Sequence, residues 1–238
     1  MLLQTRRLSK SFGSLKAADG IDLGIAAGEA VGIIGPNGAG KSTLFNLIAG
    51  SVAADSGAVL LEGRDITRLA AHRRCHAGIG RSYQIPLPFE SLTVFENLTV
   101  AAVHGRGRSV AGAVDVCADI LERTGLMRRA NVAAGSLTLL ERKRLEMARA
   151  LATAPKLLLL DEIAGGLTES ECHELVATIK GIRASGVTIV WIEHIVHALL
   201  AVVDRLIVLN FGRKIAEGEP RAVMASPQVR EIYMGLAA

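Results

Sequence analysis

Two short stretches of this chain carry side chains that could act on a phosphate. The first, Gly35-Pro36-Asn37-Gly38-Ala39-Gly40-Lys41-Ser42-Thr43, fits GxxxxGK followed by Ser or Thr. Phosphates need many donors at close range, and glycines let backbone N–H groups crowd around them. At this spacing Lys41 reaches the β- and γ-phosphates of a nucleoside triphosphate, and Ser42 can ligate Mg²⁺. The second stretch is a run of four leucines, Leu157 to Leu160, ending in Asp161 and Glu162. Asp161 is suited to hold Mg²⁺ through water, and Glu162 to polarise an attacking water as general base. A glycine-rich turn or an acidic strand end can each be plain structure. Together they predict cleavage of a phosphoanhydride, provided the fold brings them to one crevice.

The elements around them predict that it does. Ala30 to Ile34 is an apolar run of the kind that fills a strand buried on both faces. It leads into the glycine loop, and Lys41 to Ala49 reads as a helix closed by Gly50. The helix adds its positive dipole end to the phosphate site. Leu2 to Leu8, Ile21 to Ile25 and Ala58 to Leu61 read as strands with turn residues between them. From Ile85, after which prolines stand at 86 and 88, to about Ala152, the pattern is helical, over 93–103, 110–124 and 139–152. After Pro155 the alternation resumes: strand 157–160, helix 169–184, and strands 187–192 and 205–209. Such alternation implies a mostly parallel sheet with helices on its faces. Ligands of such sheets sit at the carboxyl ends of the strands, where both the glycine loop and Asp161–Glu162 fall.

The length allows one or two compact units with a sizeable core. Of 238 residues half are hydrophobic, which excludes a disordered chain, and aromatics are only 3%, so the core must be aliphatic. A net charge of +4 is too mild to specify a partner, and no nucleic acid is expected. Cys75, Cys117 and Cys172 form no CxxC pair and no zinc spacing, which suits free thiols in a reducing compartment. The N-terminus lacks an apolar signal core. No run of about 18 apolar residues is present. Any membrane link must therefore pass through another protein.

With both motifs placed, the chain resembles the ABC ATPase family over essentially its full length. The resemblance implies a P-loop NTPase (RecA-like) α/β core, an N-terminal antiparallel β-subdomain and a helical subdomain insert. It divides a single domain, 1–238, into a nucleotide-binding core (1–84 and 154–238) and a helical subdomain (85–153). Leu8-Ser-Lys-Ser-Phe12-Gly13 is similar to the family's adenine-stacking segment, which gives Phe12 that role. Ser82-Tyr83-Gln84 resembles the Q-loop, with Gln84 near Mg²⁺ and the attacking water. Trp191-Ile-Glu193-His194 resembles the switch strand, with His194 touching the γ-phosphate. The implied cofactors are ATP and Mg²⁺, the metal being held by Ser42, Gln84 and Asp161.

Leu137-Thr138-Leu139-Leu140-Glu141 stands where the family's signature, LSGGQ or LSYGQ, is usual. In the family this segment completes the nucleotide site of the opposite subunit, which here assigns Thr138 and Leu140 to nucleotide. Thr138-x-x-Glu141 is also a capping box, which merely starts a helix. Leu140 replaces a glycine and Glu141 a glutamine. A bulky side chain and a carboxylate beside a phosphate are expected to slow turnover or loosen binding. Ile163 stands where proline is usual and Thr168 where Asp or Asn is.

Within the family, Arg81 to Ala101 and the tail from Gly218 to Gly235 resemble the ATP-binding subunits of branched-chain amino-acid importers. The resemblance implies transmembrane permease subunits, a second ATP-binding subunit in a homo- or heterodimer, and a solute-binding protein acting indirectly. It places the chain peripherally on the cytoplasmic face of the membrane. Pro86 to Phe89 is the expected dock for a permease helix. Urea or amide importers, lipopolysaccharide exporters and non-transport ABC proteins are the alternatives.

Overall fold

A computed structural model describes residues 1–234, with the side chains of the last two residues left aside. Gly235, the end of the importer-like tail, lies outside the described residues. The chain runs β1 (Leu3–Phe12), β2 (Leu15–Ile25), β3 (Ala30–Ile34), α1 (Lys41–Ala49), β4 (Ser56–Leu61), β5 (Arg64–Asp65), α2 (Ala71–Ala77) and β6 (Ile79–Arg81). Then follow α3 (Val94–Arg106), α4 (Val110–Arg123), α5 (Leu139–Ala152), β7 (Leu157–Asp161), α6 (Glu169–Ala184), β8 (Thr188–Ile192), α7 (Val196–Leu200), β9 (Arg205–Asn210), β10 (Arg213–Gly218), α8 (Pro220–Ala225) and α9 (Pro227–Met234).

Six strands form the central sheet in the order β10-β9-β3-β8-β7-β6, parallel except for β10 at the edge. β1, β2, β4 and β5 form a separate antiparallel sheet. The apolar runs of β3, β7 and β8 are buried on both faces. Alternate residues serve two cores. Ile34, Leu158, Leu160, Trp191 and Val208 face a core shared with α3 to α7. Ile33, Leu159, Ile192, Ile207 and Leu209 face one shared with α1 and the antiparallel sheet. Helices on one side and a second sheet on the other explain strands without a polar face.

The differences from the sequence reading have local causes. β1 and β2 extend well beyond 2–8 and 21–25, because register shifts break the alternation that would mark their far halves. β6 has three residues, too few for a periodicity. β10 is a polar edge strand with only Ile215 and Ala216 apolar. Three helices begin with the same device: Thr93 with Glu96, Thr138 with Glu141 and Thr168 with Glu171 are reciprocal capping boxes. Thr168, standing where an acidic or amide residue is usual, thus keeps the N-cap role through its hydroxyl. No helix among the described residues is long and apolar enough to cross a membrane.

Candidate functional site

β3 stands out of chain order in the sheet, inserted between β9 on one side and β8 on the other. A crevice therefore opens above its carboxyl end. Four segments reach that edge from adjacent parallel strands: the glycine loop after β3, Gln84 after β6, Asp161–Glu162 at the end of β7, and Glu193–His194 after β8.

The loop's glycines are required by space. At Gly40, φ is +96° and a Cβ would lie 2.2 Å from the Ala17 carbonyl oxygen; at Gly35 it would lie 2.3 Å from that of Leu209. Lys41 is buried, and its Nζ donates to the carbonyls of Gly35 (2.7 Å) and Pro36 (3.1 Å). Burial lowers its pKa, while Glu162 and Asp161 oppose that shift. The ammonium thus lies folded along the loop that a phosphate would occupy. Phe12, Leu15, Ala17, residues 37–43, Gln84 and Glu162 line one cleft of about 380 Å³. Phe12 is half exposed there, with Lys10 Nζ 5.5 Å from its ring centroid.

Glu162 adopts φ +45°, a left-handed conformation that costs a non-glycine residue about 1 kcal/mol or more. Its neighbours hold it there: its N–H donates to Ile192 O (2.9 Å), and its carbonyl accepts from Gly165 N–H and Lys143 Nζ (both 3.4 Å). The carboxylate accepts from Gln84 Nε2 at 2.6 Å. Water polarised by this pair would face Lys41 and the loop.

Asp161 does not line the cleft. It is buried and paired with Arg81 (2.9 Å), which also donates to Asn46 Oδ1 (2.6 Å) and lies over the rings of Phe45 and Tyr83. The Arg81 pair occupies one carboxylate oxygen, Oδ2. The Ser42 hydroxyl and Gln84 amide line the cleft, and Asp161 keeps one carboxylate oxygen out of the Arg81 pair; oxygen donors of this kind suit Mg²⁺. His194 is exposed at the end of β8, its ring beside Gly165 rather than in the cleft.

Thr138 and Leu140 stand apart from this chain's own loop. They begin α5, where Leu139 packs near Gly166. The bulk expected beside a phosphate is not there: Leu140 is only 8% exposed and belongs to the core. Nor does the Glu141 carboxylate point freely forward. It accepts from Thr138 N–H (2.9 Å) and pairs with Arg129 (2.7 Å), bonds that lower its pKa against the effect of burial. Leu140→Gly is therefore expected to act first on stability. The loss is about 3 kcal/mol from an emptied core position and a weakened first turn, or roughly 6–12 °C in Tm. A Tm unchanged within a degree in calorimetry would show that the core does not use this side chain.

Three residues escaped the sequence reading. Arg81 holds Asp161. Lys143, on α5, is buried and donates to Gln84 O at 2.7 Å as well as to Glu162 O. Glu193 is fully buried, and neither carboxylate oxygen has a hydrogen-bond partner among the described residues. Burial first, then Glu162 and more weakly Asp161, push its pKa up to about 8, against the Ala164 amide and the Lys143 ammonium. Its ordinary value is 4.5. Folding therefore takes up a proton between those two pH values, so stability is fully present below pH 4.5 and falls as pH rises toward 8. Glu193→Gln removes that slope. Its Tm relative to wild type is expected to climb by several degrees from pH 5 to pH 8, and a parallel pair of melting curves would refute the assignment.

The family described as ABC transporter matches residues 18–165. The family described as branched-chain amino acid ATP-binding cassette transporter matches residues 213–238. The chain is similar to the high-affinity branched-chain amino acid transport ATP-binding protein BraF of Pseudomonas aeruginosa, 34% identical over 99% of this chain and 98% of that protein. It is 36% identical to the probable branched-chain amino acid transport ATP-binding protein LivG of Methanocaldococcus jannaschii, over 98% and 97%. Among solved structures it is similar to a nucleotide-free ATP-binding cassette from an ABC transporter (TM-score 0.89, 34% identity, 98% of each chain). It is equally similar to the ADP conformation of an ATP-binding cassette (TM-score 0.89, 35% identity, 98% of each chain).

Proposed function

The chain belongs to the ABC transporter family as an ATP-binding, ATP-hydrolysing subunit, and from that premise we propose that it drives uptake of branched-chain amino acids through partner permeases. The observation that carries the hydrolytic part is the 2.6 Å bond from Gln84 to Glu162 at the mouth of the cleft that Lys41, Ser42 and Thr43 line. Gly35 to Thr43 cradle the phosphates, and Phe12 stacks on the adenine. Lys41 turns from the Gly35 and Pro36 carbonyls to the β- and γ-phosphates. Glu162 accepts the proton of the attacking water while Gln84 fixes the water's position, and His194 contacts the γ-phosphate. Ser42, Gln84 and Asp161 would hold Mg²⁺, which would supply neutralisation of the phosphate charge.

The cleft is open, and Thr138 and Leu140 stand outside it, which supports completion of each site by the signature of a second ATP-binding subunit. ATP then joins two surfaces through γ-phosphate contacts that ADP lacks, so hydrolysis removes differential binding energy and the pair separates. On this reading residues 1–84 and 154–238 bind nucleotide, and 85–153 form the helical subdomain that faces the partner. Tyr83, Ile85, Leu87 and Phe89 are apolar and about half exposed or more. Arg149 holds that segment through the Leu87 carbonyl and the Phe89 ring. We assign it to the permease, on the cytoplasmic face of the membrane, with a solute-binding protein delivering substrate from the other side.

Substrate class rests on the relatives' names and on the match over 213–238. The test is ATPase activity of the reconstituted complex with binding protein loaded with different solutes. Leucine, isoleucine or valine should stimulate turnover several-fold. Stimulation by urea or short amides alone would refute the substrate, and failure to copurify with any polytopic permease would refute transport.

A further inference from the structure

Lys143 sits one and a half turns into α5, about 7.5 Å along the axis from the Thr138 cap. It is 4% exposed, and a lysine is almost never buried so deeply without a task. Its ammonium makes no hydrogen bond with a carboxylate among the described residues. It donates instead to two backbone carbonyls, those of Gln84 (2.7 Å) and Glu162 (3.4 Å). These are the two residues whose side chains bond to each other over the cleft. Their sequence separation is 78 residues, and they follow different strands, β6 and β7. One cation on a third element therefore bridges the two segments from beneath. Glu193, at the end of β8, contributes a buried carboxyl group whose charge Lys143 partly offsets.

We infer that Lys143 is a positioning residue for hydrolysis: it ties the Gln84 and Glu162 backbones to the helix whose tip meets the partner's nucleotide. The inference rests on the reading of Glu162 and Gln84 given above and adds a link between two sites. A helix is stiff along its axis, so a shift of the α5 tip on engaging nucleotide is carried to the Lys143 ammonium. That ammonium sets the spacing of the two carbonyls, and with it the geometry of the water-polarising pair. A misplacement of even 1 Å at such a pair is enough to cost about 100-fold in rate. Binding of ATP at the loop, which uses Lys41 and backbone N–H groups, does not pass through Lys143. The signature of its loss is therefore a fall in kcat with little change in KM.

Lys143→Met alone also changes the protonation of Glu193, whose raised pKa Lys143 opposes, so the decisive variant is Lys143→Met with Glu193→Gln. Tm of the full-length chain, and steady-state ATPase of the chain assembled with its second ATP-binding subunit, are compared with those of Glu193→Gln alone. The expected result is a Tm within a few degrees, a KM for ATP within about twofold, and a kcat lower by at least about tenfold. Equal kcat in the two variants would overturn the inference, since the two backbone bonds from Lys143 would then not set the geometry of the water-polarising pair. A rise in KM that accounts for the whole loss would also overturn it. An inert wild-type assembly of the chain with its second ATP-binding subunit would overturn the underlying hydrolysis reading and this inference with it, whereas an active wild type with an equally active double variant overturns the inference alone.

Discussion

Lys41→Ala is expected to lower ATP turnover by at least about 100-fold and to weaken ATP binding with it. Among the described residues no other side-chain ammonium lines the cleft, and on the reading proposed above its charge is the main point partner of the terminal phosphates. The variant is expected to fold. Among the described residues Lys41 makes hydrogen bonds only to the Gly35 and Pro36 carbonyls of its own loop, and removing a partly desolvated cation relieves a burial cost. The measurement is ATP affinity by calorimetry alongside Tm. Weak binding with an intact melting transition supports the assignment. Wild-type affinity would show that the glycine loop is not the phosphate site.

Glu162→Gln isolates the chemical step. Glutamine has the same shape, and its amide oxygen can accept the Gln84 hydrogen bond, so the left-handed turn at this position should survive. What it cannot do is take a proton from water. Loss of a positioned general base costs about 10² to 10⁴ in rate. The variant should retain ATP at wild-type affinity while kcat falls by that amount. Single-turnover hydrolysis by quench flow is the readout, and a wild-type rate would reassign the base.

Much of the site was legible because its parts are local. The glycine loop carries its chemistry in nine consecutive residues between a buried strand and a helix. Asp161 and Glu162 declare themselves by ending a run of four leucines. A parallel sheet then does the long-range work, delivering the ends of β3, β6, β7 and β8 to one edge. Gln84 and His194 were readable only through resemblance, since a lone amide or imidazole after a strand has no pattern of its own. Of these, Gln84 joins the cleft and His194 stands beside Gly165.

What escaped depends on tertiary direction. Leu140 read as an obstruction because it occupies a glycine's place; the helix phase turns it into the core. Glu141 read as a repulsive charge, and its carboxylate is bound by Thr138 and Arg129. Arg81, Lys143 and Glu193 look in sequence like ordinary charges within or beside apolar elements. Only the packing of α5 against β6 and β7 brings Lys143 beneath the Gln84 and Glu162 segments, and only the pairing of β6 with β7, on the α1 side of the sheet, brings Arg81 to Asp161. Phe12 was assigned through the family while the strand carrying it was drawn too short, because register shifts hide the end of β1.

The account turns on triphosphate held between the loop of one subunit and the α5 tip of another. Analytical ultracentrifugation of Glu162→Gln with its second ATP-binding subunit, in ATP and then in ADP, tests this most directly. Association into a dimer in ATP and separation in ADP is the predicted result. The same sedimentation in both nucleotides, with ATP demonstrably bound, would contradict it.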